Sequence, residues 1–443
     1  MTDIAQKPEP AAAAEPAQAH GSGGGIRLET FSSLKHRDYR LLFLGTMFMS
    51  AGQWVQQVTL GWLVYDLTGS SVLLGALNGL RALPFLIVGP IAGVVADRTD
   101  RRLVLLWVEA VQFIAAFIMG GIVLAGAVEV WHLFVFTAIT GAGWSIIQPV
   151  RQALAPAVVP RSDLANAVAL NSVGFNIMKI LGPSVGGFLI AMFGAGGNFW
   201  VQGVAYAGVF GMVALMRVPS HGAGAVRQGS AFENLKEGAA FVLKTPILRA
   251  IMLVALVPTF LGQPAQALMP VFQKDVLKVG PDGLGLMLAA PGIGAVVCTL
   301  ALASVANRIE RKGQFALLAL AVYGASIMWF AQTTTLEVAL LSLVVMGGAQ
   351  IMFHATVMTI LQMVTPDALR SRVMSIYMLD AGLSPLGALA AGVSTEFVGA
   401  PLTFLVLGTL LVGFCGVIWV AFPAFRTWTA TPSPQEGGRE QAG

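Results

Sequence analysis

Gly52-Gln53-Trp54-Val55-Gln56 and Gly262-Gln263-Pro264-Ala265-Gln266 stand 210 positions apart, each a glycine and two glutamines in the same register. Each stretch lies inside a long apolar run. At the same offset, Asp97-Arg98-Thr99-Asp100-Arg101-Arg102 aligns with Asn307-Arg308-Ile309-Glu310-Arg311-Lys312. At an offset of 206, Gln148 aligns with His354 and Pro160 with Pro366. Matches in the same order and at near-constant spacing describe a duplicated unit whose two copies run in the same direction. Parallel repeats of this kind place a solute site near the membrane midplane, between the copies.

Around these stretches run twelve apolar spans, at about 41–66, 72–95, 103–126, 131–154, 165–191, 198–217, 248–272, 283–306, 314–331, 336–361, 371–396 and 400–422. Most reach the ~20 residues that a helix needs to cross ~30 Å of hydrocarbon. Strands are excluded as an alternative, because open strand edges cannot face lipid. Composition agrees. Of 443 residues, 56% are hydrophobic and 11% charged, against about 25% charged in a soluble domain. The 51 glycines suit helices whose backbones approach closely in lipid. Cys298 and Cys415 both sit in apolar runs and form neither a disulfide pattern nor a metal knuckle. The expectation is an all-α membrane protein, with twelve transmembrane helices in two parallel six-helix pseudo-repeats.

The charges test that count. With the N-terminus inside, the outer loops hold only Lys274 and Lys278 of the 26 Lys and Arg, while Arg81 and Lys179 fall within spans. The rest lie at the inner face, as the positive-inside rule requires. Both termini are therefore expected in the cytoplasm of a bacterial cell, with the protein in its inner membrane. The net charge of +4 then meets anionic membrane lipids, and no nucleic-acid partner is implied. The chain divides into a disordered tail (1–33), a six-helix bundle (34–218), a linker (219–247), a second bundle (248–424) and a second tail (425–443). Within the linker, Phe232–Leu243 alternates charged and apolar residues as an amphipathic surface helix does. Asp66, Glu129, Glu337 and Glu396 mark outer span ends and read as solvated termini.

Three further motifs carry a resemblance. Gly93-Val94-Val95-Ala96-Asp97-Arg98-Thr99-Asp100-Arg101-Arg102 resembles the loop signature between spans 2 and 3 of the major facilitator superfamily. Asp100 replaces the usual glycine there, which is similar to the exporter branch that includes the enterobactin exporter and drug effluxers. Pro160-Arg161-Ser162-Asp163-Leu164-Ala165-Asn166-Ala167 resembles the same branch, and Gly182-Pro183-Ser184-Val185-Gly186-Gly187 resembles the core of the antiporter motif. The resemblance covers about residues 34–423 and implies the major facilitator fold. It implies that Gly93, Asp97, Arg98, Arg101 and Arg102 latch the cytoplasmic side, and that Gly182, Pro183, Gly186 and Gly187 form a helix-packing hinge. The arginine of the antiporters' fourth helix would fall near Thr137 and is absent.

Polar residues at membrane depth mark the candidate site. Gln53, Gln56 and Gln57 share one face of span 1 through i, i+3, i+4 spacing, and Gln263 and Gln266 hold the equivalent place in span 7. An ionisable group at a helix centre costs at least ~2.5–3.5 kcal/mol, so Arg81, Lys179 and Asp380 demand a reason. The two cations suit an anionic or mixed-charge solute; the carboxylate suits a counter-ion or proton carrier. His354 in span 10 has an ordinary pKa near ~6.5, suited to proton coupling. Glu109 is a further proton-coupling candidate, although its depth equals that of Arg151 and a structural pair between them competes with that role.

These features describe a secondary active exporter of a small molecule (siderophore, drug or other amphipathic metabolite). No cofactor and no metal are expected, the chain is expected to be monomeric, and protons are the expected coupling ion. No Gly-x4-Gly-Lys-Ser/Thr signature for nucleotide binding is present. An importer or lysophospholipid flippase of the same fold is the alternative, since fold fixes neither direction nor cargo. A non-transporting sensor or a membrane-embedded enzyme ranks below these. The five histidines are scattered, and no carboxylate pair accompanies them.

Overall fold

The computed structural model describes residues 32–81, 84, 88, 99–160, 162–217, 240–305, 308–366, 369, 373–374, 376–377 and 384–428. The first bundle comprises α1 (Arg37–Thr68), α2 (Ser71–Leu80), α3 (Arg101–Leu124), α4 (Val130–Val158) and α5 (Leu164–Leu215). The second comprises α6 (Pro246–Ala267), α7 (Pro281–Val305), α8 (Lys312–Ala331), α9 (Leu336–Val364), α10 (Ser384–Val398) and α11 (Ala400–Ala421). Among the described residues, eight helices are long and apolar enough to cross a membrane. α1 is 32 residues long and has the length to join them. α5 accounts for two of the expected spans, since it is broken at Gly194, where φ is 68° and ψ is 176°. Only glycine adopts that conformation readily, and it divides the chain between the spans expected at 165–191 and 198–217. α2 and α10 fall within the expected spans 2 and 11. The arrangement is all-helical and consistent with twelve spans.

Local sequence sets the helix ends. α1 stops at Gly69, whose φ of 60° is a left-handed cap with its N–H bonded to Tyr65 O at 2.9 Å. Asp100 caps α3, its Oδ1 accepting from the amides of Arg102 (2.8 Å) and Leu103 (3.4 Å). An acid where the motif usually has glycine therefore has a plain structural use. Just before α1, Ser32 Oγ donates to Asp163 Oδ1 at 3.0 Å and His36 Nε2 lies 2.8 Å from Asp163 Oδ2. Ser33 Oγ donates to Asn166 Oδ1 at 2.5 Å, and Tyr39 OH to Ala167 O at 2.8 Å. The 160–167 motif thus ties the start of α1 to the start of α5. The bond to His36, followed by that from Ser32, holds the Asp163 carboxyl below the ordinary carboxylate range.

The core of the first bundle packs Leu42, Leu105, Ile147, Val150 and Val209, all 2% exposed or less. In the second, the rings of Phe272, Phe330 and Phe404 stack at 4.3–5.7 Å between centroids. The two bundles meet along seams of small residues. A Cβ added to Gly75 of α2 would lie 2.7 Å from Ala388 O of α10, and one on Gly285 of α7 would lie 2.7 Å from Pro183 O of α5. Spans 2 and 8 are repeat equivalents, as are 5 and 11, so the two seams are one type of contact used twice.

At one end the bundles are also tied by polar groups. Tyr65 OH donates to the Asp275 carboxylate, and Lys274 Nζ lies 2.8 Å from Asp66 Oδ1. Glu396 Oε2 accepts from Ser71 N at 3.0 Å and from Ser71 Oγ at 2.9 Å. Asp66 and Glu396, expected as solvated termini, therefore bond across the bundle interface. Both stay exposed at helix ends and bond across the interface as well, because helix ends from the two halves converge there. The segments at 1–31, 218–239 and 429–443, with most of the expected linker helix, lie outside the described residues.

The seam predicts that Gly285→Val pushes the halves apart at the tied end. Leu67 and Phe397 are exposed on opposite halves there (43% and 82%). Double electron–electron resonance between spin labels at these two positions should show a shift to longer distances in Gly285→Val. An unchanged distribution would mean that the seam does not set the closure.

Candidate functional site

Between the bundles lies a cavity of about 160 Å³. Its polar lining comes from four helices: Gln57 of α1, Lys179 of α5, Gln263 and Gln266 of α6, and Gln350 and His354 of α9. Trp54, Leu288 and Ile351 supply apolar wall. A smaller pocket of about 20 Å³ shares Gln57 and Gln266 with it and reaches Asn78 and Arg81. Six of the residues expected in a cavity or in proton coupling (Gln57, Arg81, Lys179, Gln263, Gln266 and His354) are thus brought together from distant parts of the chain.

The antiporter-like motif positions Lys179. A Cβ on Gly182 would lie 2.5 Å from Trp54 Cβ, and one on Gly186 would lie 3.1 Å from Val55 Cα, so both glycines seat α5 against α1. Gly187 faces the other way, with its added Cβ 2.8 Å from Gly285 Cα of α7. Pro183 lines the cavity itself. One helix turn thus packs on both halves, and Lys179 projects into the space between them. His354 Nδ1 lies 3.5 Å from Tyr377 OH, at the long limit of a hydrogen bond.

Other expected site residues sit elsewhere. Gln53 is half-buried and lines neither pocket. Gln56 is buried inside the first bundle, not in the cavity: its Nε2 donates to Thr140 Oγ1 at 2.7 Å, while its Oε1 accepts from Gln202 Nε2 at 2.6 Å and Tyr206 OH at 3.4 Å. The reason is angular, since one residue is ~100° of helix rotation and Gln56 and Gln57 look in different directions. The repeat is visible here too. Gln266 Nε2 donates to Gln350 Oε1 at 3.3 Å, and the sequence separation is 84 in both the Gln56–Thr140 and the Gln266–Gln350 bond. Gln350 is the lining residue that sequence reasoning missed; a lone amide inside the apolar span 10, 210 positions after Thr140, was the available signal.

Glu109 and Arg151 form the pair that their equal depth implied. Arg151 Nη2 lies 3.6 Å from Glu109 Oε1, with side-chain exposures of 6% and 0%, and Arg151 Nη1 donates to Thr46 Oγ1 at 2.7 Å. This pair is inside the first bundle, away from both pockets. Arg102, expected in a latch, donates from Nε to Val213 O at 3.1 Å and from Nη2 to Ala214 O. It caps the C-terminal end of α5, where the helix dipole favours a cation. Arg101 stands beside it at the start of α3. Gly93, Asp97, Arg98 and Asp380 lie outside the described residues.

Comparison with known proteins bears on the family and the fold. The model of the transmembrane secretion effector family matches residues 28–436. The chain is 23% identical over 380 residues to the staphyloferrin A transporter of Staphylococcus aureus, covering 83% of this chain and 92% of that protein. It is 26% identical over 404 residues to the multidrug efflux pump Tap of Mycolicibacterium fortuitum, covering 89% and 98%. The fold is similar to that of a bacterial homologue of the lysosomal transporter Spinster in an inward-facing, unoccupied conformation. There the TM-score is 0.68 at 16% identity, over 89% of this chain and 99% of that one.

The contrast between the two adjacent glutamines is testable by thermal unfolding in detergent. Gln56→Leu strands buried donors and should cost about 1–3 kcal/mol per orphaned group. Gln57→Ala, facing the cavity, should stay within about 0.5 kcal/mol of the wild type. Equal destabilisation would contradict the assignment of one to the bundle and the other to the cavity.

Proposed function

The chain belongs to the transmembrane secretion effector family of major facilitator transporters, and from that membership we propose that it exports an amphipathic small molecule in exchange for protons. It is a multi-pass secondary transporter and not an enzyme; direction, cargo and coupling ion are the proposal. The observation that carries it is the central cavity, whose polar groups come from both halves of a duplicated fold. Relative movement of the halves would open such a cavity to either side in turn. The sorting of Lys and Arg supports an orientation with both termini cytoplasmic. On that orientation the ties at Asp66, Tyr65 and Ser71 close the outer side, and the cavity opens to the cytoplasm. Relatives named for staphyloferrin A transport and multidrug efflux support a small-molecule cargo.

In this reading Gln57, Lys179, Gln263, Gln266 and Arg81 contact the solute. His354 carries the proton at the cavity, with Asp380 of span 11 as a second carrier. The enclosure of Glu109 beside Arg151, away from the pockets, supports a structural role ahead of a coupling one. Gly93, Asp97, Arg98 and Arg101 latch the cytoplasmic side in the outward-open state, with Arg102 anchoring that corner through the end of α5. Gly182, Pro183, Gly186 and Gly187 form the contact about which α5 moves.

Everted membrane vesicles test the proposal. With the interior acidified by respiration and followed by a pH-sensitive dye, siderophores, lipophilic cations, organic anions and lysophospholipids are added in turn. Proton-coupled export predicts that at least one class collapses the gradient with the intact protein, and that Asp380→Asn weakens the signal. Silence across the panel with folded protein would contradict it and favour an importer, a flippase or a sensor.

A further inference from the structure

We infer that the solute of this cavity is an amphipathic organic acid whose anionic group docks on Lys179. The inference rests on the transporter reading above and adds the chemistry of the cargo. Lys179 is in mid-span, yet its side chain is exposed, and it lines the central cavity. Three other cations of the fold are partnered: Arg151 by Glu109, Lys274 by Asp66, and Arg102 by two helix-end carbonyls. Lys179 has neither an acid nor a hydrogen-bond acceptor among the described residues. Arg81, in the adjoining pocket, is the second charge, and among the described residues neither pocket is lined by a carboxylate.

The neutral groups point the same way. Among the described residues, Gln57 and Gln263 line the cavity without a hydrogen-bond partner and the buried Trp54 Nε1–H has no acceptor. Amides serve either charge, but an ammonium, an indole N–H and a guanidinium only donate. A charge-assisted bond to an anion would satisfy Lys179 where the protein does not. A cationic solute would meet two like charges, with amide carbonyls and the His354 ring as its described polar contacts and no carboxylate among them. Trp54, Leu288 and Ile351 provide the surface for an apolar body, which is why the acid must be amphipathic.

The test uses the full-length protein in nanodiscs of uncharged phosphatidylcholine and three probes with one apolar body: 2-naphthoate, 2-naphthylmethylammonium and 2-naphthylmethanol. Equilibrium binding is measured by calorimetry against empty nanodiscs. One charge-assisted bond predicts that 2-naphthoate binds roughly ten- to a hundredfold tighter than the other two. Lys179→Gln should abolish that preference and Lys179→Arg should keep it, with unfolding curves confirming that both variants are folded. Equal binding of the three probes, no binding of 2-naphthoate, or a preference that survives Lys179→Gln would overturn the inference. So would an anion preference that emerges only in Asp380→Asn, because Lys179 would then already be neutralised by the protein. Uptake of the probes into everted vesicles separates this from the transport reading. Lys179-dependent binding without flux would count against transport alone; flux of other solutes with no preference for acids would count against this inference alone.

Discussion

Hydrocarbon offers no water to a polar group, so each polar or ionisable side chain at membrane depth must find a partner in the protein or face an aqueous space. Much of this structure follows from that constraint. Gln56 is closed into a network with Thr140, Gln202 and Tyr206, and Arg151 is closed onto Glu109 and Thr46. These contacts hold the first bundle together and lie away from the cavity. Gln57, Gln263 and Lys179 face the gap between the bundles with no hydrogen-bond partner among the described residues. The difference between structural and functional polarity is therefore one of enclosure within a bundle against access to the cavity, not of residue type or depth.

The same constraint explains why the bundles touch where they do. Small residues bring backbones close along α2–α10 and α5–α7, and the hydrogen bonds and ion pair at Tyr65, Asp66 and Ser71 sit at one end, beyond those seams. A contact made of glycines and a few terminal polar bonds can part without exposing a large apolar surface. Duplication makes the device symmetric, since the Gln56–Thr140 and Gln266–Gln350 bonds occupy equivalent places in the two halves. Only the second lines the cavity; the first is sealed by Tyr206 and Gln202.

The fold was legible because hydropathy, the 210-residue offset and the distribution of cations each report on the whole chain. The site was legible in part. Mid-span polar residues named Gln57, Lys179, Gln263, Gln266 and His354, all of which line one cavity. Helical periodicity could not tell Gln56 from Gln57, because nothing local says which side of a helix faces its own bundle. Asp66 and Glu396 read as solvated ends and are exposed; their added bonds to Lys274 and Ser71 have no local signal, because those partners are more than 200 positions away. Gln350 escaped notice because its equivalent in the first half is a threonine, which breaks the visible match.

The central claim is that a solute cavity lies between the halves and opens on the side opposite the Asp66–Lys274 tie. Reaction of a single cysteine with a membrane-impermeant maleimide tests it most directly. With Cys298 and Cys415 replaced by serine, Ala295→Cys places the thiol on the cavity wall. Labelling is compared in everted and right-side-out vesicles. The account predicts reaction from the cytoplasmic face and protection from the outer face, with outer-face labelling rising when Gly285→Val loosens the seam. Reaction from the outer face alone while the seam is intact would contradict it.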